Sequence, residues 1–306
     1  MIYNSILELI GNTPMVKLNK INTGYADVIV KLESSNPSGS VKDRPAYNML
    51  KKATERGLIK KDTVIIEPTS GNMGIGLALC CAVSGHKVIL TMPESMSIER
   101  RKMLKGYGAE VVLTPKELGM KGAVDKALEL HEKNPYSFIP SQFENPDNPL
   151  IHEETTGEEI WEDTGGRLDV FVAGFGTGGT ISGVGKKLKE YNSNIKIIGV
   201  EPAYSPLVTE GRAAPHGIQG IGANFVPKNL DLAIIDRVLT ITDEAAIKTA
   251  KQLATEEGIL CGISSGANVR CALDLAKLKE NKDKTIVTII CDYGERYLST
   301  KLFEEE

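Results

Sequence analysis

Apolar positions along the chain fall into short, near-continuous runs rich in Val and Ile. They lie at 27–33, 63–67, 87–92, 110–114, 168–173, 195–201, 238–242 and 285–290. Runs of this length without polar alternation predict strands covered on both faces. Between them the apolar spacing is helical, over 74–84, 98–107, 121–133, 151–163, 183–191, 244–257 and 267–278. Regular alternation of strand and helix predicts an α/β protein built on largely parallel sheets. No internal repeat or low-complexity stretch interrupts the pattern. The Pro/Asn-rich segment 143–149 is the best candidate for a crossing between two domains.

Composition narrows the class. The chain has 306 residues, 41% hydrophobic and 25% charged, with a net charge of −4. That length suits one large or two fused α/β units and needs no disulfide or metal to fold. The mildly acidic balance gives no electrostatic reason to bind nucleic acid or an anionic membrane. No apolar run reaches the roughly 18 residues that span a bilayer. The N-terminal residues read as neither signal nor transit peptide. Five cysteines at irregular spacing, Cys80, Cys81, Cys261, Cys271 and Cys291, read as reduced thiols of a cytoplasmic protein. Four dispersed histidines with no H-E-x-x-H give no zinc motif.

Four segments carry candidate chemistry. Gly174-Phe-Gly-Thr-Gly-Gly-Thr180 follows an apolar run and opens a helix. Its amides suit a phosphate, which also meets the positive end of that helix. The letters also fit a dinucleotide fingerprint, with Glu201 placed 22 residues after Gly179. A nicotinamide dehydrogenase is therefore a rival reading. Ser38-Gly-Ser-Val-Lys-Asp-Arg44 contains an S-x-x-D helix start, Ser40 to Asp43. That puts Lys42 in the first turn, where the helix dipole lowers the pKa of an ammonium. A lysine so placed is a candidate Schiff-base nucleophile. Pro68-Thr-Ser-Gly-Asn-Met-Gly74 makes a second anion nest between strand and helix, and Gly262-Ile-Ser-Ser-Gly266 opens a further helix. Two anion nests and an activated lysine suit one phosphate and one carboxylate, as in pyridoxal phosphate joined to an amino acid.

Together these segments resemble the cysteine synthase family, the O-acetylserine sulfhydrylases, and the similar cystathionine β-synthases. Both are fold type II pyridoxal-phosphate enzymes. Further matches are Ile10-Gly-Asn-Thr-Pro14, Arg100-Arg-Lys102, Tyr107-Gly-Ala109, Gln142, Gly217-Ile-Gln-Gly-Ile-Gly222 and Gly294-Glu-Arg-Tyr-Leu-Ser-Thr300. They follow the family's order over almost the whole chain. The resemblance implies a tryptophan synthase β-like fold of two open-sheet α/β domains with the cofactor in the cleft. One domain would comprise residues 1–12 and 35–145 and carry a mobile carboxylate loop. The other would comprise 13–34 and 146–306 and carry the phosphate cradle.

The resemblance also assigns residues. Lys42 would be the Schiff-base lysine and general base. Gly176, Thr177, Gly178, Gly179 and Thr180 would hold the cofactor phosphate, Asn72 its phenolic oxygen, and Ser264 would face its pyridine nitrogen. Thr69, Ser70, Gly71, Asn72, Met73 and Gln142 would receive the substrate carboxylate, with Gly220 and Asn224 nearby. The implied reaction is β-replacement on a β-substituted L-amino acid through an α-aminoacrylate. The implied substrates are O-acetyl-L-serine and sulfide, giving L-cysteine and acetate. An alternative is an L-cysteine-consuming, hydrogen sulfide-releasing enzyme that forms lanthionine, cystathionine or serine. A homodimer is implied, with serine acetyltransferase as a partner. Retention of Lys42, Asn72 and Ser264 argues against an idle, partner-binding homologue. The chain departs from the family pattern at Met73, where Thr is usual, and at Asn224, where G-A-G-F is usual. It also departs at Pro45, where Ile is usual, and at Cys291-Asp-Tyr293, where Pro-Ser-Ser or Pro-Asp-Ser is usual.

Overall fold

The computed structural model describes residues 2–69 and 71–304. Its frame is two sheets. The larger has six strands: β1 (Met15–Lys17), β2 (Asp27–Leu32), β7 (Val170–Gly174), β8 (Lys196–Pro202), β9 (Arg237–Ile241) and β10 (Thr285–Ile290). Their order is β1-β2-β10-β7-β8-β9, all parallel except β1, which runs antiparallel to β2. The smaller sheet has β3 (Val64–Pro68), β4 (Val88–Pro93), β5 (Glu110–Thr114) and β6 (Ser137–Phe138), in parallel order β5-β4-β3-β6.

Each sheet is apolar on both faces, which is why its strands read as unbroken hydrophobic runs. In β10, Ile286 and Ile290 enter one core while Val287 and Ile289 enter the other. In the smaller sheet, Ile65 and Leu90 face one core while Ile66 and Ile89 face another. The N-terminal strand β2 joins the larger sheet because Val28 and Val30 continue the same core face as Ile286 and Val170. The strands missed in the sequence are β1 and β6, three and two residues long. Neither offers enough alternating positions to show a period.

The helices are α1 (Asp43–Glu55), α2 (Asn72–Ser84), α3 (Ile98–Gly106), α4 (Gly119–Lys133), α5 (Asp147–Ile151), α6 (Gly157–Asp163), α7 (Gly179–Tyr191), α8 (Leu207–Glu210), α9 (Asp243–Glu257) and α10 (Ile263–Ala276). Several start earlier than predicted, α7 and α10 by four residues. Their first turns, Gly179-Thr-Ile-Ser182 and Ile263-Ser-Ser-Gly266, are rich in Gly and Ser, poor helix formers that the N-terminus tolerates. The helix expected over 151–163 begins at Asp147 and contains a π-helical turn, His152–Thr156, between α5 and α6. Pro45 is the third residue of α1, where a missing N–H costs nothing within the helix.

Both sheets reverse their winding at a central strand. In the larger sheet the chain runs outward through β7, β8 and β9, then returns to the other side of β7 as β10. In the smaller it runs from β3 through β4 to β5, then returns beside β3 as β6. Crevices form outside the carboxyl ends of strands at such reversals. The loops after β3 and β7 both line one cavity of about 620 Å³. Among the described residues, no helix is long and apolar enough to cross a membrane.

Candidate active site

The cavity brings together most of the residues singled out in the sequence. Lys42, Thr69, Asn72, Met73, Gln142, Gly176 to Thr180, Gly220, Asn224 and Ser264 all line it. Gly71 caps α2 directly beside it. Ser70 lies outside the described residues.

Lys42 immediately precedes α1, as its N-cap residue. The expected Ser40–Asp43 capping pair does not form. The Ser40 hydroxyl accepts the Lys42 amide instead (3.2 Å), and the Asp43 carboxylate reaches back to the Ser38 amide (2.6 Å) and hydroxyl. Asp43 is fully buried, and burial pushes its carboxyl up to about 6 despite the Ser38 bonds. The Lys42 amine is lowered from its ordinary value, and the main cause is removal from water. Cys291, Asp292 and Glu33 pull the other way and do not prevail. Burial therefore replaces the helix dipole as the principal reason this amine favours its neutral form.

The glycine loop stands at the N-terminus of α7. The amides of Gly179, Thr180 and Ile181 have no partner inside the helix, so they and the dipole offer an anion site. Gly178, the N-cap, has φ +83°, a left-handed value that a side chain resists. Gly176 is required by contact: a Cβ there would lie 2.4 Å from the Gly220 carbonyl oxygen. Gly176→Ala should therefore push the 217–222 loop away and weaken retention of a phosphate-bearing ligand by at least about tenfold, roughly 1.4 kcal/mol. Equilibrium dialysis against pyridoxal phosphate would measure it. The Thr177 hydroxyl accepts from Asn148 Nδ2 (3.1 Å), which leaves its own proton free for an anion.

The loop after β3 is shaped by Thr69, whose hydroxyl accepts the amides of Gly71 (3.0 Å) and Gly74 (3.2 Å). Asn72 begins α2, and its amide is held on both sides. Arg296 donates to Oδ1 (2.5 Å), and Nδ2 donates to Asp292 (2.6 Å). This fixes the amide's orientation and leaves one N–H of Nδ2 for an oxygen in the cavity. Asp292 is fully buried and also accepts from the Tyr297 hydroxyl (2.7 Å). Ser264 lies in the first turn of α10 and presents a hydroxyl, not a carboxylate, to the cavity.

Two of the departures from the family pattern, Met73 and Asn224, acquire structural reasons. Met73 is 2% exposed and packs in the apolar core between α1, α2 and the smaller sheet. Asn224 has φ +63°, the conformation in which glycine is the easiest residue and Asn the next. Its Oδ1 accepts from the Ser205 hydroxyl (2.7 Å). Glu201, the acidic residue of the dinucleotide reading, is also explained. Its carboxylate accepts the Val208 and Thr209 amides and the Thr209 hydroxyl at the start of α8. It is 1% exposed and does not line the cavity, so the ribose contact that reading requires is missing.

Sequence reasoning assigned no role to Arg296, Asn148, Glu67 or Arg100. Arg100 Nη1 donates to Gln219 (2.6 Å), tying α3 to the 217–222 loop. Arg296 and Arg100 stood within segments of the resemblance, but only the fold shows what they touch.

A glycine-rich helix terminus, a second loop of amides, a burial-shifted lysine and a helix-borne hydroxyl thus share one cavity. Its volume is that of a small-ligand site. These groups fit pyridoxal phosphate: an amine for its aldehyde, amides and hydroxyls for its phosphate, and a hydroxyl for its ring nitrogen.

The comparisons with known proteins agree. Residues 6–292 match the pyridoxal-phosphate dependent enzyme family, and the chain belongs to it. Within that family it is similar to a cysteine synthase of Staphylococcus aureus, 52% identical over 98% of this chain and 97% of that one. A cysteine synthase structure from Entamoeba histolytica matches at TM-score 0.96 and 43% identity, over 100% of this chain and 93% of that one. A hydrogen sulfide-producing enzyme from Fusobacterium nucleatum matches at TM-score 0.95 and 48% identity, over 97% and 100%.

Proposed function

We propose that the protein is a cysteine synthase, which releases acetate from O-acetyl-L-serine and adds sulfide at the same carbon to give L-cysteine. The observation that carries this choice is the behaviour of Asn224. Its left-handed backbone and its bond to Ser205 account for an asparagine where glycine is usual. No new acid or base is thereby added at the mouth of the cavity. Met73 packs in the core and also borders the cavity, where its thioether adds no acid or base.

Bound pyridoxal phosphate supplies an aldehyde that takes up an amino group and a conjugated ring that draws charge from Cα. The chain's own groups divide the remaining work. Lys42, whose amine is shifted toward its neutral form by removal from water, would attach to the aldehyde and, when free, would accept the Cα proton on Nζ and later return it. Gly176 to Thr180 hold the phosphate. Asn72, fixed by Arg296 and Asp292, donates to the phenolic oxygen. Ser264, a hydroxyl, leaves the ring nitrogen largely unprotonated. That limits charge withdrawal and favours loss of the β-substituent over transamination. Thr69, Gly71, Asn72, Met73 and Gln142, with Ser70 assigned from the sequence alone, take the substrate carboxylate, and Gly220 and Asn224 border the mouth.

On this reading the smaller sheet's part of the chain closes over the substrate and keeps water from the reacting carbon. The same reading includes a homodimer, for which the exposed Ile2, Tyr3, Ile6 and Leu9 supply apolar surface. It also includes a cavity mouth able to take the C-terminus of a serine acetyltransferase.

A second reading is favoured by the Fusobacterium nucleatum relative: L-cysteine as first substrate, with sulfide released. Stopped-flow absorbance of the cofactor on mixing with each amino acid separates the two. A cysteine synthase should respond to O-acetyl-L-serine about 100-fold or more faster than to L-cysteine. Asn224→Gly should change kcat/KM by less than about threefold, since both residues adopt its conformation. Comparable rates with both amino acids, or a large loss in Asn224→Gly, would favour the sulfide-releasing reading.

A further inference from the structure

We infer that Glu67 is a positioning residue for substrate recognition: its ionised carboxylate fixes the Ser141–Gln142 backbone so that Gln142 can meet the substrate carboxylate. The inference rests on the reading that Gln142 performs that contact.

Glu67 lies near the C-terminal end of β3, a central strand of the smaller sheet, and is 1% exposed. A carboxylate in such a place needs specific partners. Here they are backbone amides. Oε2 accepts the Ser141 N–H (2.9 Å) and Oε1 the Gln142 N–H (3.1 Å). Ser141 has φ +59°, a left-handed value costly for a residue with a side chain. The Glu67 bond is one of the contacts that hold it there. On the opposite side of the same residue, the Gln142 carbonyl accepts from Asn148 Nδ2 (2.7 Å) and Asn229 Nδ2 (2.9 Å). The Gln142 side chain donates to the Pro68 carbonyl (3.3 Å), next to the loop of Thr69 and Gly71. Gln142 is thus clamped at its amide by Glu67 and at its carbonyl by two asparagines. Glu67 is the ionisable member of that clamp.

Burial pushes the Glu67 carboxyl up to about 7, against the pull of the Ser141 and Gln142 bonds. Among the described residues, no charged side chain of β4, β6, α2 or α4 adds to that balance. The groups facing the carboxyl are the two amides and the Gln142 side chain. Protonation turns one oxygen into a hydroxyl, and one amide then loses its acceptor. The clamp is therefore complete above the shifted value and weakened below it.

The test compares Glu67→Gln with the wild-type holoenzyme. Glutamine presents an NH₂ to an amide N–H and mimics the loosened state at every pH. L-Alanine, which has the carboxylate and no β-leaving group, is titrated against cofactor absorbance between about pH 6 and pH 8.5. The ratio of variant to wild-type dissociation constants cancels the ligand's own titration. It should be about tenfold at the alkaline end and approach one at the acid end, where the wild type loosens by itself. KM for the amino-acid substrate should follow the same ratio, with kcat changed less than about twofold. Glu67→Asp, which keeps the charge, should retain the bend near neutrality, so the test survives if Glu67→Gln folds poorly. A Glu67→Gln ratio that is flat with pH or near one throughout, or a Glu67→Asp titration without the bend, would overturn the role of Glu67. A wild-type holoenzyme whose absorbance responds to no amino acid would overturn the functional reading instead.

Discussion

Lys42→Ala should lower kcat by about 10⁴-fold while leaving a folded protein that still takes up pyridoxal phosphate. The factor is the upper range for removing a positioned general base, and here the same residue is also the covalent attachment point. Retention of the cofactor is expected because the glycine loop and Asn72 are anchored by groups independent of Lys42. These are Asn148 for Thr177, and Arg296 with Asp292 for Asn72. Stability should not fall. The Lys42 pKa is lowered in the folded state from an ordinary 10.5, so the folded chain binds fewer protons than the unfolded one between those values. Taking this amine out of water therefore costs stability in the cofactor-free chain, and the cost shrinks as pH rises toward the unfolded value. Removing the amine removes the cost. Thermal unfolding of the cofactor-free variant at about pH 7 should thus match or exceed the wild type. Lys42→Arg should not rescue, because a guanidinium keeps its proton. A small primary amine such as ethylamine should restore part of the rate to Lys42→Ala and none to Lys42→Arg. A variant retaining more than about a tenth of wild-type kcat would remove Lys42 from the role of base.

The parts of this site that were legible in the sequence are those whose chemistry lies in the backbone. A run such as Gly174 to Thr180 after an apolar strand announces an anion-binding turn, because only glycine allows the geometry. The strands of five residues or more were equally legible, since burial on both faces leaves unbroken runs of Val and Ile. Helix starts were not, because α7 and α10 open with Gly and Ser residues that resemble loop. The support around the site was also hidden. Arg296 reaches Asn72 across 224 positions of chain and Asn148 reaches Thr177 across 29, distances that no local pattern encodes. The segment 143–149 read as a Pro/Asn-rich connection. Its Asn148 instead joins the carbonyl of Gln142 to Thr177 of the glycine loop. The cause of the Lys42 shift was misassigned for a related reason. A helix start can be inferred from neighbouring residues, whereas burial depends on everything packed around it.

Arg44→Ala should destabilise the protein by about 3–5 kcal/mol, the range for removing one partner of a buried ion pair. Arg44 is 1% exposed and lies in the first turn of α1, two residues after Lys42. Its guanidinium binds Glu33 through Nε (2.8 Å) and Nη2 (2.7 Å), and Glu159 through Nη1 (2.6 Å) and Nη2 (2.7 Å). Glu33 is fully buried at the end of β2, and Glu159 is carried by α6. The network therefore ties the larger sheet, α6 and the start of α1 together behind the lysine. Burial alone would raise the Glu33 carboxyl, but Arg44, with Thr13 and Lys31, holds it below its ordinary range. In the wild type this carboxylate contributes stability that is present above its unfolded value and lost as pH falls through the lower, folded one. Without Arg44 the desolvation wins, the carboxyl rises above its unfolded value, and the sign reverses. The folded variant then binds the extra proton, so its stability should fall as pH climbs from about 5 to 8. Urea denaturation across that range would measure both the loss and the opposite slope. The double variant Glu33→Met with Arg44→Met should recover most of the loss, because apolar groups of similar volume leave no buried charge unpaired. A recovered stability without recovered kcat would show that the network also sets the position of Lys42. Recovery of both would confine Arg44 to holding the fold.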